Sequence, residues 1–454
     1  MASSFEGVLG FAFLAVMLLA GTIMRANVPL FRNALIPASL IGGVLGFVLL
    51  ALGMGYGYES RDFQVFTFHF FTLSFMSLVL VRGEQTSARS ITRGASWLSL
   101  VWVMSLVLQA LIGLMIIVGY NLLSGDNLSE YLGLLVTHGF TQGPGQALAL
   151  GGIWEHEMGI THAVNFGLIY ASVGFIVAFS IGVPVARWAV RRGLTANKNA
   201  QMNDDFMRGI LSPENQLSAG TQITHPANVD SLGFHLTLLA AAYLITDIYI
   251  NLMASAVSTV DLGAINLTVI FSHNLFFFHG LIICVLLRTL MNRLGLGHFI
   301  DDNTQRRITG SAVDFMVVAT IMSIELALLS EFIVPILAVC IAVSAGTALL
   351  CYVFGRRLNE LGVERALTAF GCCCGSTGSG VLLLRMLDPD LRTPIARELA
   401  FFNIAIMFFG FHILTLMSPV LPNIDLTTVI GVYTLTFALG AAGVLWLSRP
   451  SQPA

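Results

Sequence analysis

The stretch Leu132-Gly-Leu-Leu-Val-Thr-His-Gly-Phe-Thr-Gln-Gly-Pro-Gly-Gln-Ala-Leu-Ala-Leu150 is apolar at both ends and broken in the middle by glycines and a proline. A second stretch has the same build: Ala366-Leu-Thr-Ala-Phe, then Gly-Cys-Cys-Cys-Gly-Ser-Thr-Gly-Ser-Gly, then Val381-Leu-Leu-Leu384. A helix needs about 20 apolar residues to cross a membrane, and neither stretch supplies them without interruption. Each stretch therefore predicts a re-entrant hairpin, two half-helices joined by an irregular Gly-rich tip, over 131–153 and 366–384.

The composition of the whole chain indicates a membrane protein. Of its 454 residues, 56% are hydrophobic and 10% are charged, whereas soluble domains carry about 25% charged residues. The net charge of −3 provides no basic surface for binding a phosphate backbone. Water-soluble enzymes, disordered chains and nucleic-acid-binding proteins are therefore excluded. The six cysteines lack the spacing of a disulfide framework or a zinc site, so we interpret them as small packing residues.

Eleven apolar runs are long enough to predict transmembrane helices. They lie at 7–24, 36–54, 63–81, 97–119, 162–186, 233–257, 265–287, 312–330, 332–354, 398–420 and 426–447. If both broken stretches re-enter without crossing, all 22 basic residues except Arg61 fall on one side, which the positive-inside rule assigns to the cytoplasm. The sequence thus predicts an all-α polytopic membrane protein with its N-terminus outside and a cytoplasmic polar connector at 193–232.

The two sides of this connector are related by a shift of 235 residues. The shift places 97–119 on 332–354, and it places Gly143 and Gly145 on Gly378 and Gly380. Five spans precede the connector and five follow it, so the second half enters the membrane with the opposite orientation. The predicted parts are an N-terminal half at 1–192, a C-terminal half at 233–420 and an additional helix within 421–454. We therefore predict two inverted five-helix repeats, each with one re-entrant hairpin.

The two broken stretches also predict a binding site, because irregular backbone is costly in hydrocarbon unless it lines a polar cavity. A half-helix that starts at a tip presents free N–H groups and a partial positive charge, which suit a carboxylate. Carbonyl groups freed at the same break suit sodium. The predicted substrate-binding residues are Thr141, Gln142, Gly143, Gly145, Ser376, Thr377, Gly378, Ser379, Gly380, Arg397 and Asn403. Such a site would bind a small anion together with a cation and catalyse no reaction.

Other polar residues in or beside the spans leave alternatives open. The predicted sodium ligands, in addition to tip carbonyls, are Thr161, Asn165, Asp247 and Glu325. Either carboxylate is a cation ligand, a proton carrier or a group held by neighbouring hydroxyls. Arg397 meets a substrate carboxylate or anchors the end of its helix by snorkelling. Asn165 and Asn403 face the site or make ordinary interhelical hydrogen bonds.

Several motifs resemble those of the bacterial sodium/glutamate symporters. They are the break Gly139-Phe-Thr-Gln-Gly-Pro-Gly145, the helix entry Thr161-His-Ala163 and the ending Ile181-Gly-Val-Pro-Val-Ala-Arg187. Residues 371–380 stand where that family has its second Gly-rich pore loop, and the similarity extends over most of 30–420. The resemblance implies a homodimer of five-plus-five repeats in which a transport domain moves against a dimerisation scaffold. The three cysteines of the second tip and the additional last helix depart from the family pattern.

We predict sodium-coupled symport of glutamate or a similar small carboxylate across a bacterial inner membrane by alternating access. The expected partners are an anionic amino acid, sodium as the coupling ion, the lipid bilayer and a second copy of the chain; neither a cofactor nor a nucleic acid is expected. Two alternatives stay open. The first is a proton-coupled carrier of another organic anion with Glu325 or Asp247 as the proton site. The second is a channel-like pore or a membrane sensor that keeps the same fold.

Overall fold

The computed structural model describes residues 2–81, 88–197, 204–216, 218, 220–258, 267–358, 360–388 and 393–449. Every regular element in that part of the chain is a helix, which confirms the all-α prediction for it. The α-helices are α1 (Ala2–Asn27), α2 (Pro29–Ala34), α3 (Ala38–Ala51), α4 (Gln64–Leu80), α5 (Ala88–Ser124), α6 (Tyr131–Leu134), α7 (Val136–Phe140), α8 (Pro144–Met158), α9 (Ala163–Arg191), α10 (Asp204–Arg208), α11 (Ser231–Val257), α12 (Leu267–Ile270), α13 (Phe276–Arg293), α14 (Asp302–Met322), α15 (Leu326–Glu331), α16 (Ile333–Gly355), α17 (Gly362–Cys373), α18 (Thr377–Leu387), α19 (Ile395–Phe409) and α20 (Leu426–Leu447).

Among these residues, eight helical segments are long and apolar enough to cross a membrane. They are Gly7–Asn27, Ser60–Leu80, Arg93–Ser124, Ala163–Arg191, Ser231–Val257, His273–Arg293, Ile333–Gly355 and Leu426–Leu447. The chain is therefore a multi-pass membrane protein, and the predicted number of eleven spans stays a prediction. Of the predicted span 265–287, residues 265 and 266 lie outside the described part of the chain.

The predicted span 36–54 is shorter in the structure than the sequence suggests. It forms the 14-residue helix α3, which is about 21 Å long at 1.5 Å per residue. The hydrocarbon core of a bilayer is about 30 Å thick. The chain leaves the helix after Ala51, and Gly53 takes a φ of +72° that a helix does not allow.

The predicted span 312–330 is wrong as a continuous helix. Helix α14 ends at Met322, and the hydroxyl of Ser323 donates a hydrogen bond of 2.8 Å to the carbonyl of Thr320. This bond satisfies one of the carbonyl groups that a helix end leaves without a partner. Glu325 then has extended backbone angles and lies in the link before the short helix α15, so the hydropathy of the run concealed a break.

The predicted span 398–420 is also wrong as a continuous helix. Helix α19 ends at Phe409, and the chain continues as a π-helical segment, His412–Met417, and a 3-10 segment, Ser418–Asn423. Pro419 explains part of the change, because proline has no N–H to donate and its ring clashes with the preceding turn of an α-helix.

The chain divides into two compact units. The first unit consists of Met1–Ala20, Gly42–Glu84 and Leu211–Ser323, and the second consists of Gly21–Ile41, Gln85–Ile210 and Ile324–Ala454. Each unit takes segments from both sides of the connector 193–232. The division into halves and their inverted relation stay predictions.

Within the first unit, α4 packs against α13 and α14, and α11 packs against α13. Met76, Leu80, Leu239 and Cys284 belong to one buried cluster. Within the second unit, the 37-residue helix α5 packs against α16, α19 and α20. The additional last helix predicted from the sequence is α20, and its Gly440 lies directly against Met104 of α5.

Two short helical elements lie in the described part of the predicted connector, before α11 begins at Ser231 within the connector's predicted bounds. They are α10 and a 3-10 segment at Pro213–Asn215. Residues 198–203, 217 and 219 of the connector lie outside the described part of the chain. All six cysteines are buried and none forms a disulfide, in agreement with a packing role.

Candidate functional site

The first broken stretch forms a helical hairpin in the second unit. Helix α7 ends at Phe140, the chain turns through residues 141–143, and α8 begins with Pro144 at its first position. Gly143 has φ +90° and ψ 178°, a combination that is essentially restricted to glycine. Proline is favoured at the start of a helix because the N–H it lacks would have no partner there. The break therefore lies where glycine and proline predicted it.

The second broken stretch forms a comparable hairpin in the same unit. Helix α17 ends at Cys373 and α18 begins at Thr377, so residues 374–376 form the tip. Gly371 and Gly380 bring the two arms together, because a Cβ added to Gly371 would lie 2.7 Å from the Cα of Gly380. Any larger residue at this crossing would push the arms apart. Whether either hairpin enters and leaves the membrane on the same side stays a prediction.

The two tips meet each other. A Cβ added to Gly143 would lie 3.1 Å from the carbonyl oxygen of Gly375. Helix α9 passes beside both tips at Gly174, where an added Cβ would lie 3.0 Å from the carbonyl oxygen of Cys374 and 3.1 Å from that of Phe140. The absence of side-chain atoms at these glycines is what allows the three segments to approach so closely.

A buried carboxamide lies between the tips. Gln109 of α5 is fully buried, and its Oε1 accepts a hydrogen bond of 2.6 Å from the hydroxyl of Thr141 in the first tip. Its Nε2 lies 3.0 Å from the carbonyl of Cys373 in the second hairpin, 3.0 Å from the hydroxyl of Thr347 on α16 and 3.1 Å from the hydroxyl of Ser105 on α5. The Thr141 hydroxyl also lies 3.0 Å from the Cys373 carbonyl. One side chain thus contacts both hairpins and the helix beside them.

The structure brings together most of the residues predicted for substrate binding. Thr141, Gly143, Gly145, Ser379 and Gly380 are buried at the tips. Gln142, Ser376 and Thr377 are half-buried and Gly378 is exposed. Neither 136–145 nor 371–380 contains Asp, Glu, Lys or Arg, so besides His138 and the three cysteines these stretches offer backbone groups, hydroxyls and one carboxamide as ligands.

The two hairpins differ in how their second helices begin. Gly143, the N-cap of α8, has no side chain to accept hydrogen bonds from the first-turn N–H groups. Ser376, the N-cap of α18, accepts one from the N–H of Ser379 at 3.4 Å. The start of α8 is therefore the more open of the two for an anion.

The remaining predicted residues are spread over other parts of the chain. Asn165 lies in the first turn of α9, nine residues or about 13 Å along the helix from Gly174. Its Oδ1 is buried without a hydrogen-bond partner, while Thr161 before the helix is exposed. Arg397 is exposed in the first turn of α19. Asn403 lies farther along the same helix, but its side chain lies outside the described part of the structure.

The two predicted carboxylates belong to different compact units. Asp247 belongs to the first unit, where its Oδ1 lies 2.9 Å from Nε2 of His273 and its Oδ2 accepts from Asn251 at 3.2 Å. Glu325 is half-buried in the link between α14 and α15. Their predicted roles in sodium binding stay predictions.

Two features of the second unit were not predicted from the sequence. The first is Gln109, although a lone carboxamide within the apolar run 97–119 already indicates an interhelical hydrogen bond. The other is a buried ion pair between Arg365 of α17 and Glu398 of α19, with contacts of 2.6 and 2.9 Å. Both residues of the pair lie at the start of their helices, and this pair ties the second hairpin to α19.

Comparison with known proteins identifies the family. The model of the sodium/glutamate symporter family matches residues 4–380, which include α5, the first hairpin and the second hairpin as far as Gly380. Among curated proteins, no relative matches the chain. The match spans well over half of the 454 residues, so this chain belongs to the sodium/glutamate symporter family and is a transporter rather than an enzyme.

Proposed function

We propose that the chain carries glutamate or a similar small carboxylate together with sodium by alternating access, and that the two hairpin tips form the binding site. The observation that carries this proposal is the convergence of the tips. Gly143 lies against the carbonyl of Gly375, and one carboxamide binds both Thr141 and the carbonyl of Cys373. Membership of the family supports sodium and glutamate as the transported species.

The start of α8 is the proposed site for a substrate carboxylate. The first-turn N–H groups of a helix have no intrahelical acceptors, and Gly143 leaves those of α8 without a side-chain cap. Two such groups, on Gly145 and Gln146, follow Pro144. Backbone N–H groups and the helix dipole attract a carboxylate without a fixed cation in the membrane, which suits tips that contain no basic residue.

Sodium is proposed to bind carbonyl and hydroxyl oxygens near the same tips. Sodium is a hard cation, and half-helix C-terminal ends and unwound carbonyls are its usual ligands in transporters of this kind. Asn165 offers a buried Oδ1 without a partner, and we retain it as a separate sodium ligand farther along α9. The same proposal includes a homodimer in a bacterial inner membrane with the N-terminus outside.

Uptake of radiolabelled glutamate into proteoliposomes tests the proposal. We expect saturable uptake driven by an inward sodium gradient, loss of uptake when choline replaces sodium, and counterflow from preloaded vesicles. Uptake that persists unchanged without sodium would refute sodium coupling, and a flux that does not saturate and shows no counterflow would indicate a channel. A panel of small carboxylates as competitors identifies the substrate.

One observation favours proton coupling as a second candidate. Asp247 and His273 form a carboxylate–imidazole pair at 2.9 Å on the wall of a cavity of about 1300 Å³ in the first unit. Tyr243 and His69 of the same wall are hydrogen-bonded at 2.5 Å. A carrier that uses this pair would respond to an inward proton gradient in sodium-free vesicles, and Asp247→Asn would abolish that response. Uptake that depends on sodium alone in both proteins excludes it.

A further inference from the structure

The orientation of the Gln109 carboxamide is settled by its partners. The carbonyl oxygen of Cys373 is only an acceptor, so the atom of Gln109 that lies 3.0 Å from it must be Nε2. The oxygen then faces the hydroxyl of Thr141 at 2.6 Å. The first hairpin therefore donates to this side chain, and the second hairpin accepts from it.

The Cys373 carbonyl has a particular need for this partner. Cys373 is the last residue of α17, and the last four carbonyls of a helix have no intrahelical donors. Cys373 is itself fully buried, so water does not readily replace Gln109. When Gln109 is lost, the Thr141 hydroxyl, 3.0 Å away, is free to donate to this carbonyl, so what disappears is the link from α5 to both hairpins and one of the buried hydrogen bonds.

We propose that Gln109 is a positioning residue, which holds the two hairpin tips in the register that binds substrate. This inference rests on the proposed function, because it assumes that the ligand contacts both tips. A ligand of this kind binds only when the tips are correctly spaced, and its apparent affinity falls in proportion to the fraction of molecules with that spacing. Gln109 sets the spacing through one short side chain bonded to both tips.

The first test compares Gln109→Leu with the wild-type protein. Leucine has a similar size but no polar atoms, so both tips lose their common partner. We expect the KM for glutamate to rise about tenfold to a hundredfold, consistent with the loss of a few buried hydrogen bonds, and the maximal rate to change less. A KM within twofold of the wild type, in folded protein, would overturn the proposal.

Gln305→Leu is the matched control. Gln305 of α14 is also a fully buried glutamine, and its side-chain oxygen accepts from Ser77 at 2.6 Å. It belongs to the first compact unit, whereas Gln109 and both hairpins belong to the second. We expect a similar loss of thermal stability with an unchanged KM. An equal rise of KM in both variants would show that general destabilisation is responsible.

Gln109→Glu gives a second readout that a purely structural role would not change. A protonated glutamic acid donates an O–H to the Cys373 carbonyl and still accepts from Thr141, whereas the carboxylate cannot donate. The affinity of this variant, relative to wild type at each pH, should be near normal in acid and fall as pH rises. A flat ratio across pH 5 to 9 contradicts the proposal, even if Gln109→Leu fails to fold.

A double-mutant cycle with Thr141→Val completes the test. Because Thr141 reaches Cys373 and Gln109 through one hydroxyl, the effects of the two substitutions on KM should be strongly non-additive. Simple additivity would argue against one hydrogen-bond network that contains both side chains. The wild-type protein separates the two levels of inference. If it neither binds nor transports glutamate, the proposed function fails; if it does both and the variants behave like it, only the role of Gln109 fails.

Discussion

Replacement of Gly143 by alanine is expected to weaken substrate binding while the protein still folds. The backbone at Gly143, with φ +90° and ψ 178°, lies in a region that alanine avoids. The added methyl would lie 3.1 Å from the carbonyl oxygen of Gly375, a contact in which one of the two tips must shift. The substitution therefore strains the first tip and displaces the second at the point where they meet.

The magnitude follows from the backbone strain. A residue held in such a region costs on the order of 1–3 kcal/mol, and each 1.4 kcal/mol is a factor of ten in an equilibrium constant. If the tip relaxes into another conformation, the fraction with the binding geometry falls about fivefold to 150-fold. The KM for glutamate should rise by that factor. The maximal rate should change less, because saturating substrate selects the competent conformation.

Initial rates of sodium-driven uptake in proteoliposomes measure this effect, and Gly159→Ala provides the control. Gly159 also has a positive φ, +68°, but a Cβ there would meet no atom within 4 Å, and the residue ends α8 far from its tip. Both variants place alanine in a left-handed conformation and should lose thermal stability. Only Gly143→Ala should change the KM.

Two results would refute the reasoning. The first is a KM for Gly143→Ala within twofold of the wild-type value in protein that elutes as a folded species. The second is an equal rise of KM in Gly143→Ala and Gly159→Ala. The first outcome would remove the contact between the tips from substrate binding, and the second would attribute the change to α8 as a whole.

Three further predictions concern stability. Arg365→Leu should lower the free energy of unfolding by about 3–5 kcal/mol, because it leaves the buried Glu398 carboxylate unpaired. The double variant Arg365→Leu with Glu398→Leu should recover much of this loss. Denaturant titrations measure both. Trp154→Phe should lower the free energy of unfolding by about 1–3 kcal/mol in the same assay, because the buried carbonyl of Ser418 loses its 2.8 Å hydrogen bond. The control Trp188→Phe, at an exposed site, should change the free energy of unfolding little. Hydrogen bonds from a hydroxyl and a backbone N–H in the first turn of α20 hold the pKa of Asp425 below 3.8. The carboxylate therefore stabilises the start of α20 fully above about pH 3.8. This stabilisation is lost as the pH falls through the lower pKa of the folded state. Amide exchange in that turn should accelerate only at the acid end, and Asp425→Asn should remove the pH dependence; acceleration that begins near neutral pH would contradict this assignment.

The hairpin tips could be predicted from the sequence because their signals are local. Gly143 and Pro144 specify, within two residues, a glycine-only conformation followed by a helix start. The glycines on either side of the three cysteines similarly mark the second tip. Hydropathy located the long helices for a related reason, since each carries its apolar residues in one continuous run.

The ends of several helices could not be predicted in the same way. An average over an apolar run does not register the capping of Thr320 by Ser323, nor the change to π-helical and 3-10 geometry before Pro419. The division into two compact units could not be predicted from the sequence either, because each unit consists of segments that are separated by long stretches of the chain.

The partners of Gln109 explain why the centre of the candidate site was missed. Those on other elements lie 32, 238 and 264 residues away along the chain, while Ser105, 3.1 Å from Nε2, lies four residues before Gln109 on the same helix. A carboxamide in an apolar helix predicts only that some hydrogen-bond partner exists. Which groups supply it depends on how the helices pack, and that information is not present in any local pattern around residue 109.

The hydrogen bonds at the tips make the two hairpins unequal, although the sequence presents them as a pair. At the C-terminal end of α17 the carbonyl of Cys373 accepts a hydrogen bond from Gln109, and the start of α18 is capped by Ser376. The start of α8 has no side-chain cap. A carboxylate bound as proposed would meet uncapped N–H groups at the first hairpin, whereas the second hairpin presents helix ends that are already bonded to the protein. In a chain with no basic residue at either tip, this difference supports the proposal that the first hairpin binds the anion and the second hairpin positions it.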